Sequence, residues 1–560
     1  MHPGITALVG IGDKLLASRP LFLWQILAEN FHPMRADITN YRTPEEEINF
    51  AMSSVPILVR RELADGLKVN LRPKHAQWFK ATTDDEDIEF DADAQGWLEY
   101  ASKVMRRAIY DPKSGFVKTT SEADSDWVTF GQAVIHIGLN DVRDSLLFQN
   151  FHIKDCGWSE GTNGIIDTMH RNWSPTVRQI VKLFPKTKTE KHTNLLKEDP
   201  EKGVKCRHIV LPADNGIYDS SKAKAGRDEF ISIIVDMEND VVLEELGQKT
   251  FRYVVPRWAT CSNTPWARSP VCEVLLPDAR SLQALTRIIL ESGEKAVDPA
   301  TILSQEVFRS DLDLRAGGIT WADLEYDQRL ADKFAVLSPQ GQGLPVALQL
   351  SQMLTGALRD GSYVSKLSMP DPDRERVTAY EIRKALEKRM AEVSPIYEPA
   401  EEVYSSPMLD ETMSIMLEQN AFGRTEDIPQ ALRGADVNFT FSNPLREAEK
   451  ELDAHRFVQG AQMVQMATPL SPAAAKMIKT LPALKKALLG IGWSHDDLAS
   501  DDEIMAAEIE GQQKQQMMEQ LAAAQQGGDA AKSIGEAGKN VGDAAQSLEG
   551  VDLSGLIGGQ

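Results

Sequence analysis

Two short stretches of the sequence approach known nucleotide-binding signatures, so chemistry on a nucleotide is the first activity to consider. Gly247-Gln248-Lys249-Thr250 resembles the end of a phosphate-binding loop, in which backbone amides and a lysine hold a triphosphate. Gln248 separates the glycine from the lysine, however, and no glycine lies at the required upstream spacing. Gly10-Ile11-Gly12 lacks a third glycine and a preceding strand, so a dinucleotide site is not predicted either.

Catalytic and metal-binding patterns are equally missing from the sequence. It has neither a His-Glu-x-x-His zinc motif nor a Gly-x-Ser-x-Gly nucleophile elbow. The ten histidines are scattered, and we expect His152, His170 and His208 to be packed or surface residues rather than ligands. Four cysteines without a Cys-x-x-Cys pair predict reduced thiols rather than zinc or disulfide bonds. We therefore predict a protein that is not an enzyme and uses no metal or cofactor.

The charge balance narrows the choice of partners. The 83 acidic residues outnumber the 61 basic ones, and the net charge of −22 argues against a broad basic face that grips nucleic acid. The same charge is compatible with a surface past which nucleic acid slides, because strong phosphate contacts would hinder the movement. Residues 84–93 carry seven acids and no base, and residues 186–205 are rich in lysine. Both stretches are expected to be solvated loops, although the second could also touch phosphates.

Apolar periodicity predicts an α+β fold that is mainly helical. Helices are expected over residues 45–69 and 95–110, and strands over residues 133–137, 146–148, 207–211, 230–235 and 252–255. No run approaches the roughly 18 apolar residues of a membrane-spanning helix, and the N-terminus lacks the pattern of a signal peptide. We therefore expect no membrane association.

Two helices that enclose an insertion are the most distinctive feature of the second half. Residues 282–296 and 346–359 carry apolar side chains at helical spacing, and about 45 mixed residues lie between them. A proline-interrupted segment then leads to Thr378-Ala379-Tyr380-Glu381, which has the form of a capping box. Further helices are predicted in residues 443–526, followed by a disordered tail over residues 527–560 that is rich in Gly, Ala, Ser and Asp.

Dispersed landmarks make the chain resemble the head-to-tail connector, or portal, proteins of short-tailed bacteriophages. The most specific landmark is Arg257-Trp258 followed by Trp266-Ala267-Arg268-Ser269-Pro270, where the family commonly has Tyr-Gly in place of Trp266-Ala267. The other landmarks follow the family's order over roughly 400 residues: 63–67, 71–73, 78–79, 115–116, 126–131, 378–382 and 441–445.

The resemblance implies a subunit built from a wing, a stem, a clip and a crown, which assembles into a ring, usually of twelve copies, around a channel. The implied boundaries are a wing over 1–275, a first stem helix over 276–297, a clip over 298–343, a second stem helix over 344–360, a tunnel loop over 361–377, a channel helix with the remaining wing over 378–440, and a helical crown over 441–526.

The implied function is to close one capsid vertex and to form the channel for DNA packaging and ejection. The implied partners are double-stranded DNA, a terminase motor that hydrolyses ATP, a tail adaptor, and the capsid and scaffolding proteins. The protein would belong to the virion, and to the host cytoplasm during assembly. The alternatives are another virion structural protein, such as a tail adaptor or an internal core protein, and, with less support, a packaging enzyme.

Basic residues of the tunnel loop and the channel helix are the candidate site residues. Lys366, Arg374 and Arg376 are candidates for contact with DNA in the channel; alternatively, they are solvated charges or partners of Asp371, Asp373 and Glu375. The candidates for contact with the next subunit lie on the polar face of the predicted channel helix and are Arg383, Lys384, Lys388 and Arg389.

Overall fold

The computed structural model describes residues 2–39, 51–85, 91–220, 227–297, 300–303, 334–337, 343–363, 394–424 and 428–442, together with a few isolated positions. The chain divides into two compact units, Met1–Leu452 and Asp453–Gln560. Nearly all the described residues belong to the first unit, and the architecture below is that of this unit.

Most of the described helices of the first unit lie before residue 131 or after residue 275. They are α1 (Pro3–Ala17), α2 (Leu21–Phe31), α3 (Val55–Leu71), α4 (Ala92–Ile109), α5 (Phe116–Phe130), α6 (Val177–Leu183), α7 (Glu190–Glu198), α8 (Leu276–Val297), α9 (Gly343–Gly361) and α10 (Ser406–Glu418). A π-helical turn, Ala400–Ser405, precedes α10. None of the described helices combines the length and the apolar content needed to cross a bilayer.

The strands form four antiparallel sheets in the described residues. They are β1 (Phe79–Thr82), β2 (Val134–Leu139), β3 (Leu146–Phe151), β4 (Cys156–Glu160), β5 (Ile166–Trp173), β6 (Cys206–Pro212), β7 (Phe230–Asp236), β8 (Val241–Gln248), β9 (Tyr253–Val254), β10 (Ala300–Leu303), β11 (Phe334–Leu337) and β12 (Asn438–Phe441). The largest sheet is the meander β4-β5-β6-β7-β8, and a smaller one has the order β3-β2-β9. The remaining sheets are the pairs β1-β12 and β10-β11.

The main hydrophobic core joins the N-terminal helices to the small sheet and to the segment around α10. Trp24 of α2, Leu63 of α3, Leu98 of α4 and Trp127 of α5 are buried in it together with Tyr404. A second cluster packs α1 against β6 and β7 of the large sheet, and a third lies beneath α6 and α7.

The prediction of an α+β fold is confirmed, and helices make up about half of it. All five predicted strands are extended, but seven other strands in the described residues were not predicted: β1, β4, β5, β8, β10, β11 and β12. Strand β5 has the sequence Ile-Asp-Thr-Met-His-Arg-Asn-Trp, which is too polar to be recognised by its composition. It is a strand because β4 and β6 flank it and satisfy its backbone groups. Helix α5 was also missed, since its threonines and serines are poor helix formers.

The helix predicted over residues 45–69 is not continuous: Glu46 and Ile48 are helical, but residues 51–54 are not. Helix α3 begins at Val55, where Pro56 occupies its first turn. Residues 51–54 are not helical, because the Gln283 side chain of α8 holds them: its Oε1 accepts hydrogen bonds from the backbone N–H groups of Met52 and Ser53, both at 2.8 Å.

The solvated loop predicted over residues 186–205 was also wrong. Helix α7 occupies much of it and begins with a capping box between Thr189 and His192. A histidine in the third position of such a box is not part of the usual Ser/Thr-x-x-Glu/Gln pattern, so the sequence did not reveal it.

Candidate functional site

The most specific landmark of the sequence forms the junction that supports helix α8. The Trp127 ring at the end of α5 stacks on the Trp258 ring, with 4.2 Å between centroids and 8° between planes. The Trp258 backbone N–H donates to the Gly131 carbonyl at 2.8 Å. The Arg-Trp landmark is thereby fixed against the end of α5, although the two tryptophans are far apart in the sequence.

The backbone of Arg268 and Ser269 crosses the end of α5 at Gly131. Its backbone is left-handed, with φ of +75°, and a side chain at this position would clash with the Arg268 carbonyl. Ser269 continues the crossing, because its Oγ donates to the Val128 carbonyl at 2.6 Å. Only glycine therefore fits here without strain.

Trp266 and Ala267, which depart from the family's Tyr-Gly pair, are well accommodated at this junction. The Trp266 ring lies between those of Trp158 and Trp24, at centroid distances of 4.4 Å and 5.6 Å. The Ala267 N–H donates to Gln132 Oε1 at 2.8 Å. The larger indole fills an aromatic core, and the small alanine lets the backbone bend over the end of α5.

A buried ion pair fixes α5 on its other side. The Arg72 guanidinium donates to the Asp124 carboxylate, and both side chains are almost fully buried. The guanidinium also lies 4.7 Å from the centre of the Tyr404 ring in the π-helical turn. Burial alone would disfavour the charge of Arg72, but the adjacent Asp124 carboxylate raises its pKa above the ordinary value. The Arg72 guanidinium therefore contacts both α5, through Asp124, and the π-helical turn, through Tyr404, and so joins three segments that are distant in sequence.

Helices α8 and α9 pack against each other as a helical hairpin, and we call these two helices together the hairpin. At its base Leu275 contacts Gly361 so closely that a side chain at 361 would collide with it. Leu282 of α8 and Leu358 of α9 are buried in the main core. At 22 and 19 residues, the helices are about 33 Å and 28 Å long at about 1.5 Å per residue, longer than the spans 282–296 and 346–359 predicted from apolar spacing.

Helix α9 carries two mainly apolar stripes, and only one of them is covered. The inner stripe, at i, i+4, i+7 and i+11 spacing, is buried or half-buried and consists of Ala347, Ser351, Leu354 and Leu358. The outer stripe repeats that spacing one residue earlier, is solvent-exposed in the single chain, and consists of Val346, Leu350, Met353 and Ala357. Ile288 and Leu290 of α8 are exposed as well. We therefore regard the outer stripe as the candidate functional surface.

The charged residues singled out in the sequence lie outside the described residues. This holds for Lys366, Arg374 and Arg376 and for Arg383, Lys384, Lys388 and Arg389. Residues 364–377 of the proposed tunnel loop, the start of its helix and most of the predicted crown are outside them too. These assignments stay predictions.

The described residues offer little for metal or nucleotide chemistry. They contain no group of three His, Cys, Asp or Glu side chains placed to hold a metal ion. An open groove of about 610 Å³ between β1 and the segment before β12 is lined by four aspartates, Asp84, Asp85, Asp410 and Asp436. Such a lining repels phosphate groups.

Comparison with known proteins places these features in a family. Residues 20–496 match the family described as bacteriophage head to tail connecting protein. The portal protein of Salmonella phage epsilon15 is 20% identical over 482 residues, which cover 85% of this chain and 85% of the relative. The probable portal protein of Bordetella phage BPP-1 is 22% identical over 424 residues, covering 73% of this chain and 72% of that protein. The resemblance seen in the sequence is thus confirmed, and the chain belongs to the bacteriophage head to tail connecting proteins, structural components of the phage virion that join head to tail.

Proposed function

We propose that copies of this chain assemble side by side into a closed ring at one capsid vertex, around a channel through which double-stranded DNA enters and leaves. The outer stripe of α9 carries this proposal. It is an apolar surface at coiled-coil spacing that a single chain leaves in water, and a neighbouring copy could cover it. A head-to-tail contact between identical subunits closes into a ring when the rotation between neighbours divides the full circle.

The segments of the chain are assigned to this ring as the family resemblance implies. Helix α8 and residues 344–360 of α9 would form the stem, and residues 298–343 between them the clip that meets the tail adaptor. The strand pair β10-β11 at the start and end of this insertion is consistent with a compact clip. Residues 1–275 would form the wing, and residues 441–526 a crown inside the capsid.

The bore would be lined partly by the tunnel loop, residues 361–377. Lys366, Arg374 and Arg376 would make weak, sequence-independent phosphate contacts there, and Arg383, Lys384, Lys388 and Arg389 would pair with acids of the next subunit. The net charge of −22 supports a channel that lets DNA move, because it limits the strength of phosphate contacts.

The chemical work of packaging would belong to a partner. A terminase motor docked on the ring would hydrolyse ATP, because the sequence has no phosphate-binding loop. Capsid and scaffolding proteins would hold the ring at its vertex during assembly.

Electron microscopy of the purified full-length protein tests the ring directly. We expect closed rings of twelve subunits with an open central bore. Monomers, rods or sheets under all assembly conditions would contradict the proposal. ATP turnover by the purified protein, stimulated by DNA, would contradict the assignment of hydrolysis to a separate motor.

A further inference from the structure

The turn between α6 and α7 concentrates positive charge on an acidic protein. From residue 182 to residue 191 the sequence is Lys-Leu-Phe-Pro-Lys-Thr-Lys-Thr-Glu-Lys, with four lysines and one glutamate, in a chain whose net charge is −22. Lys186, Lys188 and Lys191 are exposed, and we call these three residues the lysine turn. A basic patch in such a chain is unexpected from composition alone.

The backbone of the lysine turn is fixed by the residues between the lysines. Phe184 is buried in the cluster beneath α6 and α7, together with Val177 and Ile180. Thr187 Oγ1 donates to the Leu243 carbonyl of β8 at 2.5 Å. The turn is therefore anchored to the large sheet instead of extending freely into solvent.

The start of α7 is held by a second anchor. His192 Nδ1 accepts from the Thr189 backbone N–H at 3.2 Å, and His192 Nε2 lies 2.7 Å from Asp236 Oδ2 of β7. The His192 and Asp236 side chains are both completely buried. Phe184 and His192 thus face inward at the two ends of the turn, and the exposed Thr187 is tied to β8 through its hydroxyl, while the lysines face outward.

The lysine turn has no acidic partner of its own among the described residues. Lys182 lies 3.3 Å from Asp141, and Arg178 lies 3.0 Å from Glu201, but none of the ion pairs in the described part of the chain includes Lys186, Lys188 or Lys191. Three cations on a fixed backbone are therefore left for an external anion.

We infer that the lysine turn contacts the phosphate backbone of double-stranded DNA, at a site separate from the tunnel loop; this rests on the proposed function, which brings DNA to the protein. Lysines are point charges on flexible stems, which suits sequence-independent phosphate contacts. Protein interfaces, in contrast, are depleted of lysine and depend on buried apolar anchors. In residues 176–205 Leu183 is the one large apolar side chain that is substantially exposed. These features favour DNA over an acidic protein segment.

The salt dependence of DNA binding tests this inference. A labelled duplex of random sequence, about 20 base pairs long, is titrated with the full-length protein in about 25–200 mM NaCl, and binding is followed by fluorescence anisotropy. The variant Lys186→Gln/Lys188→Gln/Lys191→Gln should bind more weakly. Its slope of log K against log salt should be smaller by up to about 2.7, since each lost phosphate contact removes about 0.9.

Two further variants distinguish DNA binding by the lysine turn from a general effect of the protein's net charge on DNA binding. Replacing the exposed Lys14, Lys118 and Lys249 by Gln removes the same charge elsewhere and should leave the slope nearly unchanged. Arginine in place of the three lysines of the turn should retain the wild-type slope.

The inference would be overturned if the wild type did not bind DNA or if the glutamine variant kept the wild-type slope of log K against log salt. It would also be overturned if the Lys14, Lys118 and Lys249 control lost as much slope as the glutamine variant, or if the arginine variant lost slope. If the glutamine variant binds DNA normally but its assembly state changes, the surface binds protein instead. Electron microscopy of the same samples reports on rings separately, so normal rings with an unchanged slope would refute this inference alone.

Discussion

The outer stripe of α9 allows the ring proposal to be tested by substitutions that preserve side-chain shape. Val346 and Met353 are 65% and 64% exposed in the single chain. Complete burial of a valine or methionine side chain contributes about 1.5–3 kcal/mol, so covering the exposed part of each contributes about 1–2 kcal/mol. Val346→Thr and Met353→Gln keep similar volumes but make this burial unfavourable. Together they should cost about 2–4 kcal/mol per subunit contact, which corresponds to an association constant about 30–700 times smaller.

Sedimentation velocity across a dilution series measures this change. The double variant should dissociate to smaller species at concentrations where the wild type remains a ring. Val142→Thr with Met34→Gln is the matched control, because these residues are 78% and 62% exposed and lie outside the hairpin. If the double variant assembles like the control, the outer stripe is not a subunit contact and the observation that carries the ring proposal is lost.

Three further predictions concern the packing that supports the hairpin and the wing. Arg72→Met leaves the Asp124 carboxylate buried without its partner, so urea denaturation should show a loss of about 3–5 kcal/mol, partly recovered by adding Asp124→Asn; no recovery would argue against a coupled pair. Gly131→Ala should destabilise the fold more than Gly164→Ala, since both glycines have φ of +75° but only the first is crowded by backbone; equal losses in thermal denaturation would show that the crossing is loose. Burial, with a nearby arginine, lowers the pKa of His170 to about 4. The unfolded chain therefore takes up a proton at this histidine below about pH 6.5 that the folded chain does not, so His170 alone should lower the stability by about 2 kcal/mol between pH 7 and pH 5. His170→Gln should remove that part of the pH dependence, and an unchanged dependence would refute the assignment.

Several of the helices and strands could be predicted from the sequence, because the residue patterns that indicate them are local. Residues 209–211 and 230–235 are apolar or nearly continuous apolar runs rich in β-branched residues, and both lie in strands of the large sheet. The two helices that enclose an insertion followed from apolar spacing alone. The dispersed aromatic and glycine landmarks were enough to indicate the family, because their order survives where overall identity is low.

The tertiary structure alone decided how the landmarks meet and which surfaces stay open. The Trp127–Trp258 stack joins positions that no local pattern connects. The polar strand β5 forms because its neighbours complete its hydrogen bonds, and the start of α3 depends on the Gln283 side chain of α8. Both stripes of α9 are apolar with the same period, so the sequence could not indicate which of them α8 would cover. Packing buried the stripe that contains Leu358 and left the stripe that contains Met353 exposed, because only the first stripe faces the main core.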